Sequence, residues 1–379
     1  MILLEALGVL VVMLATAGVA YTLAAAFFIG RLRPRGRPPA SVAAPVTLLK
    51  PLCGSEGGLL ANLSTFMSQD YPAPVQIVFG VQDPADPALA AVESLRQANP
   101  QADIAVVVDP RVYGANRKVS NLMNMIGEAR HELIVLNDAD IAVDPDYLLQ
   151  VTAAMAEPGV GAVTCYYRGE ARAGLWSRLG AMGVSYGFLA NVALGVGLGM
   201  ARPCMGSTIA LRREVLEAIG GFAALSDVLM DDFEIGRKVR EAGLKVALPP
   251  FVVRHGCSEM SLGELVAHEL RWAVTVRMID PVGHFGSVVT HAAPLALIGV
   301  LLLGASPLSL AVLAAAIGAR LWLKLQSDRV GGASSGPLAL MPARDILSFA
   351  IYMGSLFARA VYWRGARFRV SSGRTFFPA

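Results

Sequence analysis

Long uninterrupted apolar runs occupy both ends of this chain, and short ones punctuate its middle. Residues 2–29 carry one charge, Glu5, and are otherwise apolar or small, more than the roughly 20 residues that cross a bilayer. From residue 45 the apolar runs shorten to strand length and alternate with helical stretches: VTLLK at 46–50, a helix over about 57–68, VQIVFGV at 75–81, a helix over about 87–98, DIAVVVD at 103–109 and LIVL at 133–136. This alternation predicts a parallel sheet with covering helices. Farther on, STIALRR (207–213) reads as a strand, followed by a helix into Gly220 and Gly221. MDDFEIGRKVREAG (230–243) reads as a helix with an acidic start and a glycine stop, KVALPPFVVRH (245–255) as a strand and 261–280 as an amphipathic helix.

Two further apolar runs, about 288–303 and 308–323, are separated by little more than GASP and predict a transmembrane hairpin. A third, 346–363, has Arg344 before it and Arg364, Arg367 and Arg369 after it, so charge does not orient it; it spans, or it dips and returns. Residues 174–201 are apolar enough to span as well. A crossing there would separate Asp231, Asp232 and Glu234 from Asp138, so the segment reads as interfacial or substrate-facing, with a buried helix pair as the alternative. Arg31, Arg33, Arg35 and Arg37 follow the first run and place that end in the cytosol. A signal peptide would carry its positive charge before the apolar stretch. The expected division is an anchor at 1–30, a basic Pro-rich linker at 31–44, a cytosolic catalytic domain at 45–280 and a membrane region at 281–379.

Composition agrees with this layout. With 55% hydrophobic residues in 379 and a mean hydropathy of +0.54, the chain is too apolar for an ordinary soluble enzyme, yet its middle is too polar for a transporter. A membrane-attached enzyme satisfies both. A net charge of +3, without a basic stripe carrying interleaved aromatics, gives no argument for nucleic acid. Cys53, Cys165, Cys204 and Cys257 lie far apart and form no C-x-x-C pair, so they read as reduced packing residues.

The candidate chemistry begins where LIVL stops at Asp138 and Asp140. Ligands of open α/β sheets bind at strand carboxyl ends, and side chains at i and i+2 of extended backbone point the same way. The pair could share Mg²⁺ or Mn²⁺ bridging to a substrate phosphate, the chemistry of a nucleotide-sugar enzyme. Asp144 before Pro145 has the pattern of an N-cap followed by Pro at the first helical position. Asp86 before Pro87 has the same pattern, but with Asp83 it follows the strand 75–81 at the same sheet edge, so capping and nucleotide contact are both open. Asp231 and Asp232 open a helix: one carboxylate can satisfy free N–H groups while its neighbour, about 100° round, points into a cleft.

Taken in order, VTLLKPLCG, VQDPADPA, NRKVSNLMN, LNDADI, VTCYYRG, MDDF and a near match to Q/R-x-x-R-W, set between an anchor and C-terminal membrane segments, resemble glycosyltransferase family 21 over almost the whole chain. That family comprises the ceramide glucosyltransferases and bacterial hopanoid-biosynthesis relatives, within the larger family 2-like group. The resemblance implies a GT-A-like, doubly wound mixed α/β sheet with N- and C-terminal transmembrane helices. It makes Asp86 the first acidic motif, Asp138 (with Asp140) the metal site, Asp232 the catalytic base, and Arg271 and Trp272 the R-W pair. His268 stands where Gln or Arg is expected, and an imidazole offers one donor and one acceptor in place of a guanidinium fork. Lys50, Asp83, Lys118 and His268 complete the candidate contacts to a UDP-sugar, with Lys118 or Arg271 helping the cation neutralise the diphosphate leaving group. Trp272 covers the acceptor or the sugar, or packs its helix. The implied protein is a multi-pass enzyme of the bacterial inner membrane, catalytic domain in the cytosol, moving glucose or N-acetylglucosamine with inversion to a hydroxyl of a membrane lipid, ceramide-like or hopanoid. A processive polysaccharide synthase shares this plan but needs a channel, for which two or three C-terminal segments are few. An inactive membrane-anchored binding protein predicts lost carboxylates, and all are present.

Overall fold

In the computed structural model the described residues are 2–32, 36–55, 57–358, 360–363, 366–369 and 377–378. Arg33, Arg35 and Arg364 lie outside them. The chain divides into two compact units: Arg33–Arg172 with Arg202–Ser258, and Met1–Leu32 with Ala173–Ala201 and Glu259–Ala379. Residues 173–201 and 259–280, placed by their sequence in one 45–280 domain, therefore group with the terminal helices.

The first unit is built on ten strands: β1 (Val46–Pro51), β2 (Val75–Val81), β3 (Asp103–Val108), β4 (Leu133–Leu136), β5 (Ile141–Ala142), β6 (Val160–Val163), β7 (Tyr166–Ala171), β8 (Ile209–Arg212), β9 (Lys245–Ala247) and β10 (Val252–Cys257). Seven form one sheet in the order β3-β2-β1-β4-β8-β6-β9, and β5-β10-β7 form a second. β1 pairs in parallel with β2 and β4, whereas β8 runs antiparallel to β4 and β6, so the main sheet is mixed. Its central strands are mostly apolar because both of their faces are covered. Val46, Leu48, Leu133 and Val135 face a core with the helices Leu59–Met67, Ala88–Ala98 and Tyr147–Met155. Leu49, Ile134 and Leu136 face the opposite core, with Arg117–Met125 and Asp231–Glu241. The chain steps outward from β1 to β3, then returns to the other side of β1 as β4. Strand order reverses there, and the crevice beyond the carboxyl ends of β1 and β4 is where such sheets bind ligands.

Three local expectations change. KVALPPFVVRH is two strands, β9 in the main sheet and β10 in the second, because Pro249 and Pro250 donate no N–H to a ladder. Asp138–Asp140 is not extended: Ile141 N–H donates to the Asp138 carbonyl across a turn. Nor does Asp144 cap a helix. The next helix starts at Tyr147, and the Asp144 carboxylate lies 3.4 Å from Arg254 with 70% of its side chain exposed. Exposed pairs contribute at most about 1 kcal/mol. Asp144→Ala should therefore shift thermal unfolding by no more than about 0.5 kcal/mol, and a calorimetric loss well above that would restore the cap.

The second unit is helical. Among its described residues three helices are long and apolar enough to cross a membrane: Leu3–Gly30, Leu175–Gly197 and Pro307–Gly331. The middle one is continuous through a π-helical turn at Val184–Phe188. Ala292–Leu303, the first arm of the expected hairpin, has only 12 residues, about 18 Å at 1.5 Å per residue. It reaches spanning length only together with Pro281–Thr290, bent by 65° from it, the form of a broken span or a re-entrant loop. The apolar run 346–363 is likewise divided, between the 17-residue helix Met341–Phe357 and a strand beginning at Ala360. Small residues let the first helix pack closely: Ala15 is buried with Ala292, Ala296 and Ala316. Helix Leu262–Ile279 starts as its sequence predicts, with Ser261 accepting from the Glu264 N–H at 3.1 Å.

Candidate active site

The site sits at the carboxyl ends of β1 and β4. Asn137, fully buried, anchors the end of β4 by donating to Tyr147 Oη at 2.8 Å, the Ser207 carbonyl at 2.7 Å and Thr208 Oγ1 at 3.1 Å. This leaves Asp138 at the strand's mouth. Its Oδ1 lies 2.7 Å from Lys118 Nζ, which is also 3.1 Å from Asp231 Oδ2. Lys118 is presented by the first turn of helix Arg117–Met125, whose N-cap Asn116 accepts from the Val119 N–H at 3.1 Å. The Asn116 amide also donates to Asp231 Oδ1 at 3.3 Å. One asparagine thus orients both the cation and one of its carboxylates.

At the acidic start of helix Asp231–Glu241 both carboxylates are engaged. Asp231 is buried against Lys118 and Asn116. Asp232 is the carboxylate that collects backbone N–H groups, Gly206 at 3.0 Å on Oδ2 and Phe233 at 2.7 Å on Oδ1. Gly206 links both ends of the site, because its carbonyl accepts the Asp138 N–H at 3.2 Å. A Cβ on Gly206 would stand 2.5 Å from Asp138 Oδ2. Gly206→Ala should therefore displace Asp138, and since misplacing a reacting group by about 1 Å can cost 10²-fold, kcat should fall roughly 10- to 10²-fold with the fold intact. Unchanged steady-state kinetics would show that Asp138 is not held where it must act.

Crowding sets the electrostatics. Burial opposes the Lys118 charge, but Asp138, Asp231 and Asp232 outweigh it and hold its pKa above the lysine value. Asp138 is raised by burial and by Asp140, against the pull of Lys118. Burial and the neighbouring Asp231 push Asp232 up to about 6, with Lys118 opposing. A carboxylate with a pKa near working pH is suited to accept a proton. Tyr167, from β7, faces the same group: burial and then Asp232, Asp140 and Asp138 raise it well above the phenol range.

The other candidates divide. Lys50 is fully buried, its Nζ 3.4 Å from the Phe66 ring centroid and 3.4 Å from the Asp138 carbonyl. It braces the Asp138 turn from within the protein, without exposed surface, and burial lowers its pKa well below the usual value. Asp86 ties the loop after β1 to the next helix, accepting from Gly54 N–H at 3.0 Å and Ala88 N–H at 2.9 Å. Asp83 is exposed and accepts from its own loop at Ala85. Asp140 lies 3.4 Å from His255 Nδ1 at the end of the turn. His268, Arg271 and Trp272 belong to the helical unit, where His268 Nδ1 is 2.8 Å from Glu259 and its ring 4.4 Å from that of Trp272. Sequence reasoning assigned no role to Tyr167, His255, Asn116 or Gly206. VTCYYRG and NRKVSNLMN contain two of them, but only pairing of β7 with β10 brings Tyr167 beside His255.

Among the described residues no three His, Cys, Asp or Glu side chains gather as a complete metal shell. Mg²⁺ and Mn²⁺ in phosphate-transfer sites need less, one or two carboxylates completed by substrate phosphates and water. Asp138 and Asp140 fit that requirement. Asp138, Asp140, Asp231 and Asp232 outnumber Lys118 and the depressed Lys50; burial first, and acidic neighbours after it, disfavour the charged form of Asp138 and Asp232, and a divalent cation at this end would favour it.

The sequence profile of glycosyl transferase family 21 matches residues 9–376. Ceramide glucosyltransferases 3 and 1 of Caenorhabditis elegans are each 24% identical, over 60% and 54% of this chain and 49% and 43% of their own. The chain thus spans about half the length of the curated relatives it matches. Among solved structures, the mannosyltransferase PcManGT from Pyrobaculum calidifontis, in complex with GDP-Man and Mn²⁺, shares the fold. Its TM-score is 0.55 at 22% identity, covering 93% of this chain and 99% of that one.

Proposed function

Because the chain belongs to glycosyl transferase family 21, we propose that it moves a single hexose from a UDP-sugar to a hydroxyl of a membrane lipid, inverting the anomeric carbon. The observation that carries this reading is Asp232, a half-buried carboxylate raised to about 6 and held by the Gly206 N–H beside Asp138. Asp232 takes the proton of the acceptor hydroxyl as its oxygen attacks the anomeric carbon, while the bond from that carbon to the diphosphate oxygen breaks and UDP leaves. No second carboxylate is needed as a nucleophile, so displacement is direct. Asp138 and Asp140 would hold a divalent cation, which when bound supplies charge neutralisation at the diphosphate. Lys118, whose charge the cluster secures, adds a second positive group at the same end.

The acceptor reading draws on the apolar helices of the second unit and on the ceramide glucosyltransferase names of the relatives. It places the sheet unit on the cytosolic side, since Arg31 and Arg37 follow the first helix. The test is to offer purified enzyme UDP-glucose and UDP-N-acetylglucosamine with ceramide and a hopanoid polyol, and to read the products by mass spectrometry. A product of one added sugar, glucose or N-acetylglucosamine, on a lipid supports the proposal. Polymer, or hydrolysis of the donor with every lipid unmodified, overturns it.

A further inference from the structure

Helix Leu262–Ile279, which carries His268, Arg271 and Trp272, is held at two points by helix Met341–Phe357. Arg277 donates to the carbonyls of Ser355 and Ala358. Arg344, 3% exposed, grips both oxygens of Glu269 at 2.7 and 2.6 Å. The next residue, Asp345, engages a different helix: its two oxygens accept from Arg320 of Pro307–Gly331 at 3.0 and 2.6 Å. Both guanidinium groups reach onward to Leu175–Gly197. Arg344 donates to the Leu179 carbonyl at 3.2 Å, and Arg320 to the Tyr186 carbonyl at 2.7 Å, inside the π-helical turn Val184–Phe188. Gly183 makes room for the first pair, since a Cβ there would stand 2.9 Å from both Arg344 Cζ and Glu269 Oε1. These contacts converge on Trp272. Glu269 precedes it by three residues, a spacing that makes the two neighbours on one helix face. Phe188 ends the π-helical turn with its ring centroid 6.3 Å from that of Trp272, and such turns are frequent at functional sites. Trp272 also borders a cavity of about 220 Å³, so packing alone does not fix its ring.

We propose that Arg344 and Asp345 are positioning residues for sugar transfer: through Glu269 and Arg320 they pin Trp272, and the adjacent Arg271 with it, in the orientation the reaction uses. The proposal rests on the transfer reading above and goes beyond it, because neither residue belongs to the acidic motifs or to the helix of the R-W pair. A bidentate guanidinium–carboxylate pair fixes direction as well as distance. One pair locks the helix that carries Trp272, and the other locks the turn against which its ring rests. Ion pairs that only joined helices would need no convergence on one side chain. A group that acts at a site does need it, since its supporting side chains must hold it to within about 0.5 Å.

The test uses the full chain labelled with 5-fluorotryptophan in detergent micelles, where the fluorine resonance of Trp272 is the one lost in Trp272→Phe. Arg344→Gln, Glu269→Gln and Asp345→Asn should each displace that resonance. Turnover per UDP-binding site, counted by calorimetric titration with UDP, should fall about 10- to 10²-fold in each. A merely structural role would lower the number of UDP-binding sites and leave the turnover of each unchanged. Glu269→Arg combined with Arg344→Glu rebuilds the pair in reverse, and should recover both the resonance and per-site turnover where either reversal alone does not. An unmoved Trp272 resonance in Arg344→Gln, or normal per-site turnover, overturns the proposal. If Arg344→Gln does not fold, Arg344→Lys, which keeps the charge and loses the fork, decides by the same two readings. Normal per-site transfer with a displaced resonance sinks this proposal alone. A displaced resonance in Arg344→Gln, with no transfer to any lipid by the native chain, sinks the transfer reading and keeps the pinning of Trp272.

Discussion

Asp232→Asn should lower turnover by on the order of 10² to 10⁴ while leaving UDP-sugar affinity within about twofold. Asn is nearly isosteric, and its one amide oxygen can still accept from one of the Gly206 and Phe233 N–H groups, which bind different oxygens of Asp232; the fold is kept while the proton acceptor is lost. Asp231→Asn is the informative contrast. Asp231 faces Lys118 and Asn116, and its replacement leaves Lys118 paired with Asp138; the expected loss is about tenfold, the lower end for a positioning group. Calorimetric titration with the donor, run beside a transfer assay, separates the two. Near-normal turnover in Asp232→Asn, or loss of donor binding together with activity, removes Asp232 from the role of base.

Asp138→Ala should abolish measurable transfer, a loss on the order of 10³ or more if it both carries the cation and anchors Lys118. Removing Asp138 also takes one partner from the largely buried Lys118. Here Asp231 remains for Lys118, so the protein should still fold, and Asp138→Asn serves as the milder variant. Chelation of divalent ions should reduce UDP affinity of the native chain, with Mn²⁺ or Mg²⁺ restoring it, and should leave Asp138→Asn unaffected. A variant whose UDP affinity still rises with Mn²⁺ as in the native chain would move the metal away from Asp138.

The comparison between Asp138 and Asp144 illustrates how far local pattern reaches. An apolar run that ends in carboxylates locates a strand's mouth, because β4 is buried on both faces and burying an unpaired charge is costly. The same reasoning placed β1 to β3 and their helices within a residue or two. Asp-Pro before a helical run suggests a cap equally well at Asp144, but capping depends on the φ and ψ that the connecting turn adopts, which β5 and β10 constrain from a distance. Lys50 is a related case. At a strand's end a lysine looks available, and only the packing of Phe66 over its ammonium shows that it is enclosed.

Sequence by itself determined the alternation of strands and helices, the apolar helices at both ends and the order of the acidic motifs, all of which depend on residues adjacent in the chain. Tertiary structure alone decided that Lys118, Asp138, Asp231 and Asp232 form one electrostatic cluster, that Gly206 joins its two ends, and that Tyr167 and His255 border it. Those contacts join strands and loops up to about a hundred residues apart. The balance of burial against charge that raises Asp232 exists only once they meet.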